Sequence, residues 1–463
     1  MTTAKIAPYG SWKSPITSDL IVAGTIGFGH LVLEGDDSYW IESRPTEGGR
    51  NVIVRRSPDG TVADITPSPY SARTRVHEMG GGAFFVHQGV VFFANDADQR
   101  LYRQDPGRDP RPLTADGAHR FADGLVDSHH NRIVIVLEDH SQDGREPVNL
   151  LVSLDPQDGE SRMVLASGQD FYSSPRVSPD GSRLAWLSWN HPNMPWDGTE
   201  LWVADLNPDG SVANPRAVAG GPNESIFQPE WSPDGALFFV SDRSGWWNLF
   251  RWDGEGDGRP LLPMEAEFGQ PQWLFGMSTY AFESPERLVC AYRWRGSWHL
   301  ATLDPDGQHL AVVRLPYSEY EQIRARPGRV VCLAASPLEF TALVELDLDS
   351  RQTTVLRRSS QLELDAGYLS APEPVEYPSG DHTAHAYYYA PLNRDYQAPG
   401  QDKPPLMVRS HGGPTGSTDG RLNLSIQYWT SRGCGVLDVN SGGSTGDGRD
   451  YRKLREGNWG VVD

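Results

Sequence analysis

Short apolar runs such as Leu101-Tyr102-Arg103 and Leu201-Trp202-Val203 recur along most of the chain, each followed by a turn and then by a second run with an apolar residue. The turns are Pro58-Asp59-Gly60, Pro106-Gly107, Asp158-Gly159, Pro208-Asp209-Gly210, Asp253-Gly254, Pro305-Asp306-Gly307 and Asp349-Ser350, seven copies spaced 43 to 53 residues apart. The run after each turn carries Ile65, Leu113, Val164, Val218, Leu261, Val312 or Val355. Strand, tight turn and strand together predict one hairpin per copy.

A second similarity aligns Pro-Arg-Val-Ser-Pro-Asp-Gly ending at Gly181 with Pro-Glu-Trp-Ser-Pro-Asp-Gly ending at Gly235, 54 residues on, and strand-like runs follow at 184–189 and 237–240. Each repeat therefore holds two hairpins. Four-stranded units of this period predict a seven-bladed β-propeller, which closes radially and exposes few strand edges, in preference to two stacked sandwiches. The repeat with Ser178 has six extra residues before its outer hairpin, so residues 190–197 hold an insertion with Met194 and Trp196, read as packing on the next blade or as a ligand contact. His77-Glu78 before Gly80-Gly81-Gly82 predicts a tight entry to an inner strand near the central channel, with substrate contact as the sharper alternative.

After Leu356 the repeat stops. Residues 357–360 are polar, strand signals at 372–377 and 383–390 lack a blade turn, and a second domain is predicted from Ala366, giving domains 1–365 and 366–463. In the second, the apolar run 406–408, read as a buried strand, leads into Ser410-His411-Gly412-Gly413-Pro414; residues 427–432 read as a helix end and 436–439 as another strand, left with a bare edge. Strand and helix in alternation predict an α/β sheet, here the incomplete start of an α/β-hydrolase domain. Glycine after such a strand suits an oxyanion site, because tetrahedral intermediates of acyl transfer need unobstructed backbone N–H groups; His411, Gly412 and Gly413 are the candidate site residues, and Pro414 has no N–H to give.

The 61 acidic and 41 basic residues give a net charge of −20, which argues against nucleic acid and anionic membrane surfaces as partners. Cys290, Cys332 and Cys434 are odd in number and far apart, suggesting neither a disulfide framework nor zinc, and reducing surroundings. No leader is read in residues 1–18 and no apolar stretch is long enough to span a bilayer, so a cytoplasmic protein is expected. His382 and His385, three apart on a strand, should face opposite ways and form no metal pair; no metal or cofactor is expected.

Pro8-Tyr9-Gly10-Ser11-Trp12, Val76-His77-Glu78 with its glycines, residues 190–200, residues 227–235, residues 242–248 and His411-Gly412-Gly413-Pro414 together resemble the acylaminoacyl peptidase and dipeptidyl aminopeptidase branch of the prolyl oligopeptidase family. The resemblance implies a propeller capping an α/β-hydrolase serine peptidase, gating the access of oligopeptides, with the amide at Gly413 acting beside the amide after the nucleophile. Departures lie at Ser441 and Asp447, where tyrosine is common in the family.

Gly442-Gly443-Ser444-Thr445-Gly446 matches the G-x-S-x-G pattern, yet no histidine follows His411, and residues 447–450 read as a turn where an elbow needs a helix. Ser444 is therefore not expected to be a nucleophile. Residues 459–463 resemble the approach to the family's nucleophile strand, so the chain is expected to be truncated before nucleophile, acid and base, and inactive alone. The alternative function is a non-catalytic propeller, a binding or scaffold module with a vestigial tail. The expected partner is an oligopeptide, and a homo-oligomer is left open.

Overall fold

The computed structural model describes residues 4–142, 144–159, 161–413 and 415–462. Seven four-stranded antiparallel sheets follow one another at residues 27–64, 84–112, 119–166, 171–221, 226–260, 280–313 and 319–358, and in each the strands pair in chain order. Each of the seven turn copies joins the third and fourth strands of one sheet, as between Arg50–Arg56 and Val62–Asp64. The turns need a left-handed residue, and Gly60, Gly107, Gly159, Gly210, Gly254 and Gly307 all take positive φ. In the seventh copy, which lacks glycine, Arg351 takes that conformation at φ 58°.

The apolar pattern explains how the sheets assemble. Second strands such as Arg132–Asp139 are buried along nearly their whole length, because a neighbouring sheet covers each face, while fourth strands such as Val62–Asp64 and Arg111–Pro112 are exposed. Seven apolar clusters each span two successive sheets: Tyr39 and Ile53 meet Phe84 and Phe93, and so on round to Val289 and Leu300 with Val330 and Val344. The last cluster packs Leu31, Trp40 and Val52 of the first sheet on Val331, Leu333 and Leu343 of the seventh. The Arg324 and Arg326 side chains tighten that closure by donating to the carbonyls of Leu31 and Leu33, each at 2.9 Å. The result is a closed ring of seven sheets, consistent with a propeller.

Innermost strands carry a bulge at a repeated position, with positive φ at Asp123, Ser174, Gln228 and Gln322. The bulge side chain reaches the next sheet: Asp123 accepts from the Ser174 N–H at 2.6 Å and Gln228 from the Thr279 N–H at 2.7 Å. Across the middle of the ring, the approach to the second sheet meets the approach to the sixth. Gly81 bridges Phe275 in parallel, the Phe275 N–H donates to the Gly80 carbonyl at 3.0 Å, and Arg324 donates to the Gly276 carbonyl at 2.9 Å. A Cβ on Gly81 would lie 2.6 Å from the Phe275 nitrogen and oxygen, and φ there is +90°, so only glycine fits.

His77 is part of this junction. Its ring packs on Phe171, Trp189 and Phe275 at 5.0, 5.5 and 4.8 Å, and burial lowers its pKa to about 3, holding it neutral. Glu78 points outward and pairs with Arg120 at 3.6 Å.

Of the remaining strands, Lys5–Ile6 and Tyr396–Gln397 form a short parallel pair, and four form one mixed sheet in the order Pro372–Ser379, His382–Tyr389, Gly435–Asn440, Leu406–Ser410. The strand at 436–439 therefore has a neighbour on both sides, against the expectation of a bare edge; pairing with His382–Tyr389 was not visible from local pattern. The edges are Pro372–Ser379 and Leu406–Ser410, and the second bears on the site. In Leu406–Ser410 the apolar residues Leu406 and Val408 stand on the open side, 55% and 62% exposed, where a buried strand was expected, because no further strand or helix among the described residues covers that side. A helix, Gly448–Lys453, begins directly after Asp447, correcting the expected turn.

Candidate functional site

The parallel pair Leu406–Ser410 and Gly435–Asn440 sets the geometry of the candidate site, since both strands end on the same side and ligands of open α/β sheets bind beyond such carboxyl ends. Residues 411–417 leave the first strand and residues 441–447 leave the second. The two loops are tied together: His411 Nε2 lies 2.8 Å from Ser444 Oγ, and the Thr445 N–H donates to the Gly416 carbonyl at 2.8 Å. Below them, Thr418 donates its N–H to Asn440 and its hydroxyl to Asp438 at 2.7 and 2.6 Å. Burial raises the Asp438 pKa above the usual carboxylate range.

His411, Gly412 and Gly413 come together on this rim. Gly412 and Gly413 are exposed, with open space where a Cβ would stand, and Gly413 holds φ +71°. Among the described residues their backbone N–H groups donate to nothing. Pro414 lies outside the described residues.

The His411–Ser444 contact is a feature the sequence reading missed. A serine within hydrogen-bond reach of a histidine is the first half of a nucleophile pair. Ser444 is fully buried, however, so no carbonyl can reach its oxygen, and among the described residues His411 Nδ1 meets the Gly412 carbonyl at 3.4 Å and no carboxylate within hydrogen-bond reach. The contact fastens one loop to the other. The missed signal was topological: two glycine-rich loops after two parallel neighbouring strands must meet.

The ring of sheets grips the same loops from outside. Trp273 Nε1 donates to the Thr415 carbonyl at 2.5 Å, and Arg293 donates to Ser417 Oγ at 2.7 Å and to the Thr445 carbonyl at 3.2 Å. Buried Asp242 receives both Arg449 and Arg452 on Oδ2, and Arg452 lies over the Trp247 ring at 4.0 Å. Glu267 accepts from the Trp247 and Gly448 N–H groups at 2.8 and 3.0 Å, and burial pushes its pKa up to about 7 against the pull of Arg452. Between these contacts lies a cavity of about 180 Å³ with Glu319, Glu321, Asp419 and Arg421 on its walls.

His382 and His385 both reach the Tyr451 ring, at 6.0 and 5.2 Å, although strand alternation would separate them, because His382 opens its strand beside a turn. Among the described residues no cluster of three or more metal-ligating side chains occurs, and no helix is long and apolar enough to cross a membrane. The three cysteines are free.

No family model matches the chain. Solved structures do. A puromycin-hydrolysing peptidase of Mycobacterium tuberculosis superposes with a TM-score of 0.92 and 36% identity over 99% of this chain and 72% of that one. A puromycin hydrolase matches at 0.91 and 35% over the same shares. The Pyrococcus horikoshii acylaminoacyl peptidase, at 11% identity and a TM-score of 0.64, shares the fold. Among curated proteins, dipeptidyl aminopeptidase BIII of Pseudoxanthomonas mexicana is 35% identical over 104 residues, which span 22% of this chain and only 15% of that protein's length. A closed ring of four-stranded sheets docked on the carboxyl ends of a parallel strand pair thus has its counterparts among peptidases. The chain belongs to the prolyl oligopeptidase family.

Proposed function

We propose that these residues form the front part of a serine peptidase acting on oligopeptides, of the aminopeptidase or acylaminoacyl peptidase type. In this reading residues 1–365 are a seven-bladed propeller that restricts substrate access, and residues 366–463 open an α/β-hydrolase domain. The Gly412 and Gly413 N–H groups are its oxyanion donors. What carries the reading is the pair of unengaged glycine amides, exposed at the carboxyl end of Leu406–Ser410 on a loop fastened at both ends.

The chemistry follows from that arrangement. As a nucleophile adds to a peptide carbonyl, charge builds on its oxygen, and preformed N–H donors stabilise that charge without reorganising. Ser444 does not supply the nucleophile. The unpaired outer edge of Leu406–Ser410 offers a place for one more parallel strand, whose carboxyl end would stand beside Gly412 and Gly413. A nucleophile outside these 463 residues, delivered there, would complete the site. The free cysteines fit a reducing, cytoplasmic setting.

The test offers aminoacyl and acyl-aminoacyl chromogenic amides to the native protein, with and without a serine-directed phosphonate. Phosphonate-sensitive turnover is expected, with kcat lowered by about 10²- to 10³-fold in Gly412→Pro, which deletes one donor. Absence of turnover across the panel would favour a non-catalytic propeller acting as a binding or scaffold module.

A further inference from the structure

Thr415 is the buried anchor of the loop that carries Gly412 and Gly413; two groups hold it and a third holds its neighbour. Its hydroxyl accepts from Arg455 Nη2 at 2.7 Å, its carbonyl accepts from Trp273 Nε1 at 2.5 Å, and its neighbour Gly416 accepts from Thr445. Arg455 and Thr445 belong to the mixed sheet's own side. Trp273 does not: it lies in the approach to the sixth sheet of the ring, 142 residues from its acceptor.

Trp273 is itself held. Its ring meets Trp196 at a centroid distance of 4.3 Å, and Trp196 is buried in the cluster shared by the fifth and sixth sheets. Trp196 lies within the insertion at 190–197 that distinguishes the fourth repeat from the fifth. The Asp197 carbonyl next to it accepts from Arg449 Nη2 at 2.8 Å, so the insertion also touches the helix Gly448–Lys453 that follows the mixed sheet's second loop. The extra residues thus form a support beneath an indole that points at the loop.

We propose that Trp273 is a positioning residue for the oxyanion segment, and that the Trp196 insertion exists to hold its indole in place. The inference rests on the peptidase reading above for its catalytic consequence only. A hydrogen bond from a half-buried indole to a buried carbonyl fixes where the Thr415 peptide sits, and Gly413, with no side chain and φ +71°, has little else to fix it. Donors displaced by a fraction of an ångström lose their advantage at a developing oxyanion. Docking of the ring and readiness of the site are then one event.

Trp273→Phe tests this, because it keeps an aromatic ring against Trp196 and removes only the N–H donor. The first measurement is amide hydrogen exchange on the 463-residue chain, which needs no turnover. Exchange of the Thr418 and Thr445 amides, which donate to Asn440 and to the Gly416 carbonyl where the loop is tied down, is expected to quicken about tenfold, with sheet amides at 435–439 unchanged. The second is kinetics of the native peptidase: kcat is expected to fall about tenfold with KM within twofold, and Trp196→Leu to reproduce the effect in part. Unchanged exchange in the loop overturns the positioning role. Faster exchange with unaltered kcat overturns its catalytic consequence, and a rise in KM at constant kcat would assign Trp273 to substrate binding instead. If the wild type turns over no amide, the peptidase reading falls while exchange still judges the contact.

Discussion

Replacing Asp242 by alanine should release the mixed sheet from the ring. The carboxylate is fully buried and receives two guanidiniums on Oδ2, from Arg449 and Arg452, whose side chains are themselves 10% and 3% exposed. Its Oδ1 accepts from the Ser225 N–H at 2.7 Å. Removing one partner of a buried ion pair and leaving the other costs roughly 3–5 kcal/mol, and orphaning the Ser225 N–H adds about 1–3 kcal/mol. The two losses share one side chain and do not add fully. Only the first acts across the boundary between ring and sheet, so the docking step should weaken by about 3–5 kcal/mol, or roughly two to four decades in the opening equilibrium. Hydrogen exchange over residues 435–455 reads that opening directly, with strands of the fourth and fifth sheets as internal reference. Asp242→Asn serves as the partial case, retaining an acceptor for Ser225 while lowering the charge. Acceleration below tenfold in the alanine variant would show that Asp242 does not hold the boundary and that Trp273, Arg293 and Glu267 suffice.

Glu267, raised from an ordinary 4.5 to about 7, favours its protonated form when folded. Its contribution is complete below about pH 4.5 and is lost as pH rises through about 7, up to about 3 kcal/mol in all. The stability difference between wild type and Glu267→Gln, followed by denaturant midpoints, should fall by that amount from pH 4.5 to 8; a flat difference refutes it. Gly81→Ala puts a Cβ against the Phe275 backbone and should cost well over the roughly 1–2 kcal/mol of a left-handed alanine, whereas Gly60→Ala, at φ +86° with only the Arg56 tip nearby, should cost no more than that. Equal losses of Tm in the two would argue against the crossing at Phe275. Leu343→Ala opens a void where the seventh sheet meets the first and should cost about 2–5 kcal/mol by chemical denaturation; under 1 kcal/mol would deny that this contact closes the ring.

The ring was legible because its turns are chemically constrained one at a time. A hairpin that needs a left-handed residue places Gly60, Gly107 or Gly307 at a fixed point of each repeat, and the spacing of such glycines carries the strand count with it. The Asp349-Ser350 copy shows the limit, for the left-handed residue there is Arg351, which no turn rule singles out. At the candidate site, a strand followed by His411-Gly412-Gly413 pointed to the right loop, because glycine is demanded locally. What locks that loop was not legible. Ser444 lies 33 residues from His411, and Trp273 lies 142 residues from Thr415, so each partner is chosen by sheet order and docking. The exposure of Leu406 and Val408 has the same origin: an apolar run says that a strand should be covered, and only the sheet order says which strand lies at the edge.

The crossing of Gly81 and Phe275 turns the ring's middle into a bulkhead. On one side lies a basin of about 540 Å³ with Arg176, Arg324 and Arg326 at its walls; on the other, a basin of about 490 Å³ carries Met79, Leu274 and Glu321. Glu321 accepts from Arg421 at 2.5 Å, so the second basin opens toward the mixed sheet. An extended peptide travelling along the axis would have to break the Gly81–Phe275 bridge and displace the Arg324 grip on Gly276 before passing from one basin to the other. The ring is thus a cup and not a pipe. The two basins are separate compartments while that bridge stands, and of the two it is the one carrying Glu321 that lies toward the loop of Gly412 and Gly413.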